Sequence, residues 1–232
     1  MSDELLIRMQ GIDKAFPGVQ ALKDGQFELR PGEVHALVGE NGAGKSTLMK
    51  VLTGVYQRDA GTIEVKGQQV EVPNPRAGRD LGISMIHQEL ALANHLTVAQ
   101  NIFMGREPRG RLSFMLDDKQ QVKQTEELVD RLGLKLDPTA KCGDLKVAQQ
   151  QMVEIAKALS MDAHVLIMDE PSAALTDAEV EELFRVIRAL RERGRGIVRV
   201  GQRLGELRQS SDRVTVVRDG QRVDAVVTAE AT

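Results

Sequence analysis

An α/β fold is predicted by three observations. An apolar run at residues 34–38 leads straight into a glycine-rich turn and a helix. A second apolar run, residues 165–168, ends in two acids, Asp169 and Glu170. Strand signals come first along the chain, helical periodicity fills the middle, and strand and helix alternate at the end, the order of a strand-helix core carrying a helical insertion.

Each element follows from local pattern. Residues 5–9 and 27–29 are short β-rich runs, and Pro31-Gly32 turns the chain into the strand at 34–38. A helix starts near Lys45, and residues 62–65 with Gly67 predict a hairpin. From 98 to 134 the pattern is helical, with Val122, Thr125, Leu128, Val129 and Leu132 on one face and Gly133 as its stop. Met152, Ile155, Ala156 and Leu159 form another such face. After the strand at 165–168, Pro171 breaks the chain, and Thr176 with Glu179 forms a capping box for a helix burying Val180, Leu183, Phe184, Ile187 and Leu190. Strands at 196–200 and 214–217 follow, and Asp219-Gly220 turns the chain into a last strand at 221–227.

Composition narrows the class. The 232 residues are 41% hydrophobic, enough to fill a core. A net charge of −3, with basic and acidic residues interspersed, provides no footprint for nucleic acid. The single cysteine, Cys142, excludes an internal disulfide and fits a reducing compartment. The opening Met-Ser-Asp-Glu-Leu-Leu lacks the basic flank and apolar segment of a signal peptide, and no window is long and apolar enough to span a bilayer. A cytoplasmic chain is expected, reaching a membrane only through a partner. His35, His87, His95 and His164 lack metal-ligand spacing and belong to no nucleophilic arrangement.

Chemistry concentrates in two places. Gly39, Glu40, Asn41, Gly42, Ala43, Gly44, Lys45, Ser46 and Thr47 fit G-x-x-x-x-G-K-[ST]. The glycines let backbone amides turn inward and pass close to a polyphosphate, Lys45 reaches the terminal phosphates, Ser46 is placed to ligate Mg²⁺, and the helix directs its positive end at the anion. Asp169 and Glu170 sit where a central strand delivers carboxylates to the ligand-binding edge of an open sheet. Asp169 would hold Mg²⁺, and Glu170 would orient or deprotonate the water that attacks the γ-phosphate.

Four segments extend these motifs: GENGAGKSTLMKVLTGVY at 39–56, MIHQEL at 85–90, QQQMVEIAKALS at 149–160 and VLIMDEPSAALTD at 165–177. With them the whole chain resembles the nucleotide-binding domain of ATP-binding cassette (ABC) transporters, closest to the N-terminal cassette of bacterial monosaccharide importers of the ribose, galactose and xylose type. The resemblance implies a P-loop NTPase core of the ABC ATPase type with an N-terminal antiparallel β subdomain and a helical insertion. It makes residues 1–232 one domain, with the core at about 1–87 and 161–232 and the helical subdomain at about 88–160.

By the same resemblance Phe16 stacks on adenine, and Gln88 touches Mg²⁺ and the attacking water and couples to the membrane subunit. Residues 174–177 match the loop that crosses the dimer interface. The signature segment is Leu145, Lys146, Val147, Ala148 and Gln149, which caps the γ-phosphate of ATP held by the opposite cassette. Two positions depart from the family: Lys146 replaces a hydroxyl residue, and Gln202 replaces the histidine that hydrogen-bonds the γ-phosphate. Arg199 stands where an apolar or aromatic residue is usual.

The implied function is an ATPase using ATP and Mg²⁺ to power import of a sugar across the bacterial inner membrane, peripheral on the inner face. Its partners would be a second ABC cassette, as a homodimer or fused C-terminal half, an integral membrane permease and, indirectly, a periplasmic sugar-binding protein. No nucleic acid is expected. Two alternatives stay open on sequence grounds: a soluble ABC ATPase outside transport, and a nucleotide-binding module with little hydrolysis, which Lys146 and Gln202 favour and Glu170 opposes.

Overall fold

The computed structural model describes residues 5–86, 91–109, 116–169, 175–201 and 211–227. The chain divides into two compact units, the described residues of Met1–Met85, Ala163–Glu170 and Leu190–Thr232 forming the first, and those of Ile86–Asp162 and Pro171–Ala189 the second.

The first unit holds two sheets. Strands β1 (Ile7–Phe16), β2 (Val19–Leu29), β4 (Ala60–Val65) and β5 (Gln68–Gln69) form a four-stranded sheet in the order β2-β1-β4-β5, every adjacent pair antiparallel. β1 and β2 run well beyond the apolar stretches that announce them. Strict alternation after Met9 would turn Gly11 inward; instead Met9 and Ile12 are both buried, and the pairing register shifts between them. Gly11 makes this bulge with φ 62°, and it faces Gly61, where a Cβ would come within 2.4 Å of the Gly11 carbonyl. The predicted hairpin at Gly67 forms, with Lys66 at φ 51° and Gly67 at φ 75°.

The second sheet contains β3 (Val34–Val38), β6 (Ile83–Ile86), β7 (Val165–Asp169), β8 (Gly196–Gly201), β9 (Arg213–Arg218) and β10 (Gln221–Val227), ordered β10-β9-β3-β8-β7-β6. β3 is parallel to both β8 and β9, β7 is parallel to β8, and β10 returns antiparallel to β9. All five residues of β3 and all six of β8 are buried, as in a sheet covered on both faces. Helices α1 (Lys45–Leu52) and α2 (Pro75–Asp80) follow β3 and β5.

Helices dominate the second unit: α3 (Val98–Ile102), α4 (Asp118–Leu132), α5 (Val147–Leu159) and most of α6 (Asp177–Glu192). The helical pattern read over 98–134 is two helices, not one. α3 stops at Phe103, Gly105 follows with φ 75°, and an isolated bridge joins Arg109 to Leu116. On α4 the buried residues are Gln121, Thr125, Leu128 and Val129, Val122 being half-buried, and Gly133 ends the helix at φ 66° as expected. Among the described residues no helix is long and apolar enough to cross a membrane.

Candidate functional site

Local sequence builds the phosphate loop. β3 delivers the chain into 39–44, and α1 starts at Lys45 with Gly44 as its N-cap in the left-handed region, φ 97°. A glycine N-cap has no side chain to accept from the first-turn N–H groups of α1, an arrangement that suits an anion. The three loop glycines have different reasons to exist. A Cβ at Gly39 would lie 2.2 Å from the Val217 carbonyl of β9, and one at Gly44 would lie 2.7 Å from the Ala21 carbonyl of β2. At Gly42 nothing stands within 4 Å, and its φ of 83° is what excludes a side chain. Two of the glycines thus seat the loop on the protein's own backbone.

Lys45 is buried, and its ammonium donates to the carbonyls of Gly39 at 2.7 Å and Glu40 at 2.9 Å, bringing the cation inside the curve of the loop. Ser46 and Thr47 are half-buried in the first turn of α1, while Glu40 and Asn41 are exposed. The turn between β9 and β10, Asp219 at φ 50° and Gly220 at φ 74°, braces the loop: the Gly220 N–H donates to the Ala43 carbonyl at 3.0 Å. Sequence patterning identifies this turn but carries no signal that it touches the phosphate loop.

The sheet register gathers the other candidates of this unit. Val38 ends β3 opposite Gly201 of β8, and Val200 stands opposite Asp169, the last residue of β7. Asp169 therefore lies at the same sheet edge as the phosphate loop, two strands across, about 10 Å by ordinary strand spacing. A buried lysine, an uncapped helix start and a carboxylate on one edge suit a nucleotide polyphosphate with its divalent cation. Glu170 follows Asp169 directly and Gln202 follows Gly201. Both lie outside the described residues, as do Gln88 and Ala174.

Phe16, the last residue of β1, is half-buried and meets Tyr56 edge to face, with ring centroids 5.1 Å apart at 73°. The Lys14 ammonium stands 5.6 Å from the Phe16 centroid.

The signature segment belongs to the second unit. Leu145 follows a short turn, Cys142–Asp144, and Lys146 is the N-cap of α5. The Lys146 N–H donates to Gln149 Oε1 at 3.2 Å, and Gln150 Nε2 donates to the Leu145 and Cys142 carbonyls at 3.1 and 3.0 Å. Lys146 and Val147 are exposed while Ala148 is buried. In the same unit Thr176 donates its N–H and its hydroxyl to Glu179 Oε2 at 3.0 and 2.8 Å. These bonds hold the Glu179 carboxyl below the usual carboxylate range, and the Lys146 cation adds to the effect. Asn101, fully buried on α3, is a hub that the sequence does not mark: it accepts from the Ala93 N–H at 2.8 Å and donates to the Thr97 carbonyl at 3.0 Å and to Cys142 Sγ at 3.1 Å.

Known proteins match this arrangement. The ABC transporter domain family matches residues 22–173, which includes the phosphate loop, the signature segment and Asp169. The chain belongs to the ABC transporter family. A Burkholderia cenocepacia (strain HI2424) protein, named provisionally as ribose/galactose/methyl galactoside import ATP-binding protein 2, is 60% identical over 225 residues, covering 97% of this chain and 44% of that protein. A similarly named protein of Agrobacterium fabrum (strain C58) is 52% identical over 229 residues, 99% of this chain and 44% of the relative. The ABC cassette thus spans less than half the length of the curated relatives it matches. Among solved structures, the ADP conformation of an ATP-binding cassette of an ABC transporter superposes with TM-score 0.84 at 24% identity, covering 96% of this chain and 91% of that one. The fold is the α/β P-loop cassette fold of ABC ATPases, with its antiparallel sheet, mainly parallel sheet and helical segment.

Proposed function

We propose that this chain is the ATP-binding, ATP-hydrolysing cassette of a bacterial sugar importer. The carrying observation is 60% identity over 97% of the chain to a sugar-import ATP-binding protein, with the phosphate loop folded as a seated anion cradle. The names of the relatives favour import over either alternative. In this reading the chain is one cassette, with its core at about 1–87 and 161–232 and its helical subdomain at about 88–160. It works peripherally on the inner face of the cell membrane and pairs with a second cassette, fused or separate. It drives a permease fed by a periplasmic sugar-binding protein.

Each residue has a defined task. Residues 39–47 hold the triphosphate through backbone amides and the Lys45 cation. Phe16 stacks on adenine. Ser46, Asp169 and Gln88 would hold Mg²⁺, which when bound neutralises phosphate charge. Glu170 orients or deprotonates the attacking water, and Gln202 donates to the γ-phosphate. Leu145, Lys146, Val147, Ala148 and Gln149 meet the nucleotide of the opposite cassette.

The test is MgATP turnover by the purified chain across a range of protein concentration. Turnover that rises per molecule with concentration, and that Glu170→Gln stops without loss of MgATP binding, supports a paired ATPase. Absence of MgATP binding by the wild-type chain would sink it.

A further inference from the structure

Three features converge on the aromatic pair at the end of β1. Phe16 sits beside a hairpin turn, a place where an aromatic ring would keep freedom about both side-chain torsions. Here that freedom is restricted. Tyr56 meets the ring at 5.1 Å and 73°, an edge-to-face geometry that fixes the plane of one ring by the other. Tyr56 is itself located: its N–H donates to the Lys50 carbonyl at 3.0 Å just beyond α1, its ring packs against the buried core, and the Lys50 ammonium stands 5.5 Å from its centroid. The third feature is Lys14, whose ammonium lies over the Phe16 ring while paired to Asp59 Oδ1 at 2.7 Å; Asp59 Oδ2 accepts from the Ala15 N–H at 2.7 Å. Strand end, cation and second ring are tied to one another.

We propose that Tyr56 is a positioning residue for the base: by holding the Phe16 ring plane it prepays the ordering that stacking on adenine requires. This rests on the reading of Phe16 given above. Tyr56 makes no contribution to phosphate binding in this scheme, because the phosphate loop is carried by β3, α1, the start of β2 and the β9–β10 turn.

The chain contains one tyrosine and no tryptophan, so its tyrosine emission reports Tyr56 alone. The experiment titrates the whole chain with MgATP and, separately, with magnesium tripolyphosphate, which carries the phosphates without a base. Calorimetry compares wild type with Tyr56→Phe, Tyr56→Leu, Phe16→Leu and Lys45→Ala, and emission is followed in the proteins that keep Tyr56. Tyr56→Leu should weaken MgATP binding about three- to tenfold, leave tripolyphosphate affinity unchanged, and be rescued by Tyr56→Phe. Tyr56 emission should respond to MgATP and not to tripolyphosphate, and that response should vanish in Phe16→Leu. Equal losses for both ligands in Tyr56→Leu, or no loss for either, overturn the positioning role. If Phe16→Leu binds MgATP as wild type does while Lys45→Ala does not, the stacking reading of Phe16 falls and the proposal with it.

Discussion

Lys45 holds its ammonium within 2.7 Å of the Gly39 carbonyl, so removing it takes away both the phosphate's counter-charge and an internal tie of the loop. Lys45→Ala should lose about 2–5 kcal/mol of MgATP affinity, which calorimetry would read as abolished binding at ordinary concentrations. Lys146 makes the opposite case. It occupies the N-cap of α5 in the extended conformation, φ −65° and ψ 156°, where a hydroxyl or carboxylate would accept from the first turn and an ammonium has no lone pair to do so. It also sets a cation at the positive end of the helix. Lys146→Ser should therefore stabilise the chain by about 1 kcal/mol, raising the melting temperature by roughly 2–4 °C, and a melting curve that is unchanged or lower would refute the capping argument. At this scale the phosphate loop was legible because its residue types are dictated by local geometry. Gly220 and Asn101 were not, since a glycine in a turn and an asparagine on a helix are ordinary until their distant partners are known.

Elements were legible in proportion to how apolar they are. β3, β7 and β8 read as mainly apolar runs, interrupted only by His35 and Arg199 and ended by Asp169, whereas β1 and β2 carry Asp13, Lys14, Gln20, Lys23 and Asp24 on a sheet whose register shifts at the Gly11 bulge, so alternation fails midway. The α3–α4 break is marked by Gly105, Pro108 and Gly110, breakers that helical periodicity on either side passes over. Two tests belong here. Asn101→Leu strands the Ala93 N–H and removes the tie from α3 to the Cys142–Asp144 turn. It should cost about 2–3 kcal/mol in denaturant unfolding. In the wild type, burial pushes the Cys142 thiol up while the Asn101 amide N–H, donating to the sulfur, opposes the rise, so the same variant should leave less thiolate and slow alkylation of the folded chain at neutral pH. The second test is Gly220→Ala. At φ 74° the new Cβ would stand 2.7 Å from the Ala21 carbonyl, so about 1–3 kcal/mol of stability should be lost together with MgATP affinity. Gly133→Ala, at φ 66° with nothing within 4 Å, carries the backbone strain alone and should spare affinity.

On the scale of the whole molecule, β3 takes both of its neighbours, β8 and β9, from the far end of the chain. His35 Nε2 and Thr215 Oγ1 lie 2.8 Å apart yet 180 residues apart in sequence, and the buried pair Arg213–Glu33, at 2.7 Å, spans the same separation. A fragment ending at residue 195 keeps every residue of the phosphate loop but leaves β3 unpaired on both sides. It should show no MgATP binding by calorimetry, and full affinity in that fragment would contradict the role given to β8 and β9.

The same topology sets a timetable. Synthesis at about 5–20 residues per second leaves roughly 10 to 35 s between the appearance of β3 on the ribosome and the arrival of β9. For most of that interval a five-residue strand, apolar but for His35, and a loop built to grip anions exist with neither neighbouring strand in place. The nascent chain is then a natural client for chaperones that shield short hydrophobic segments, and a translational pause before β9 is complete would prolong exposure of the segment on which nucleotide binding depends.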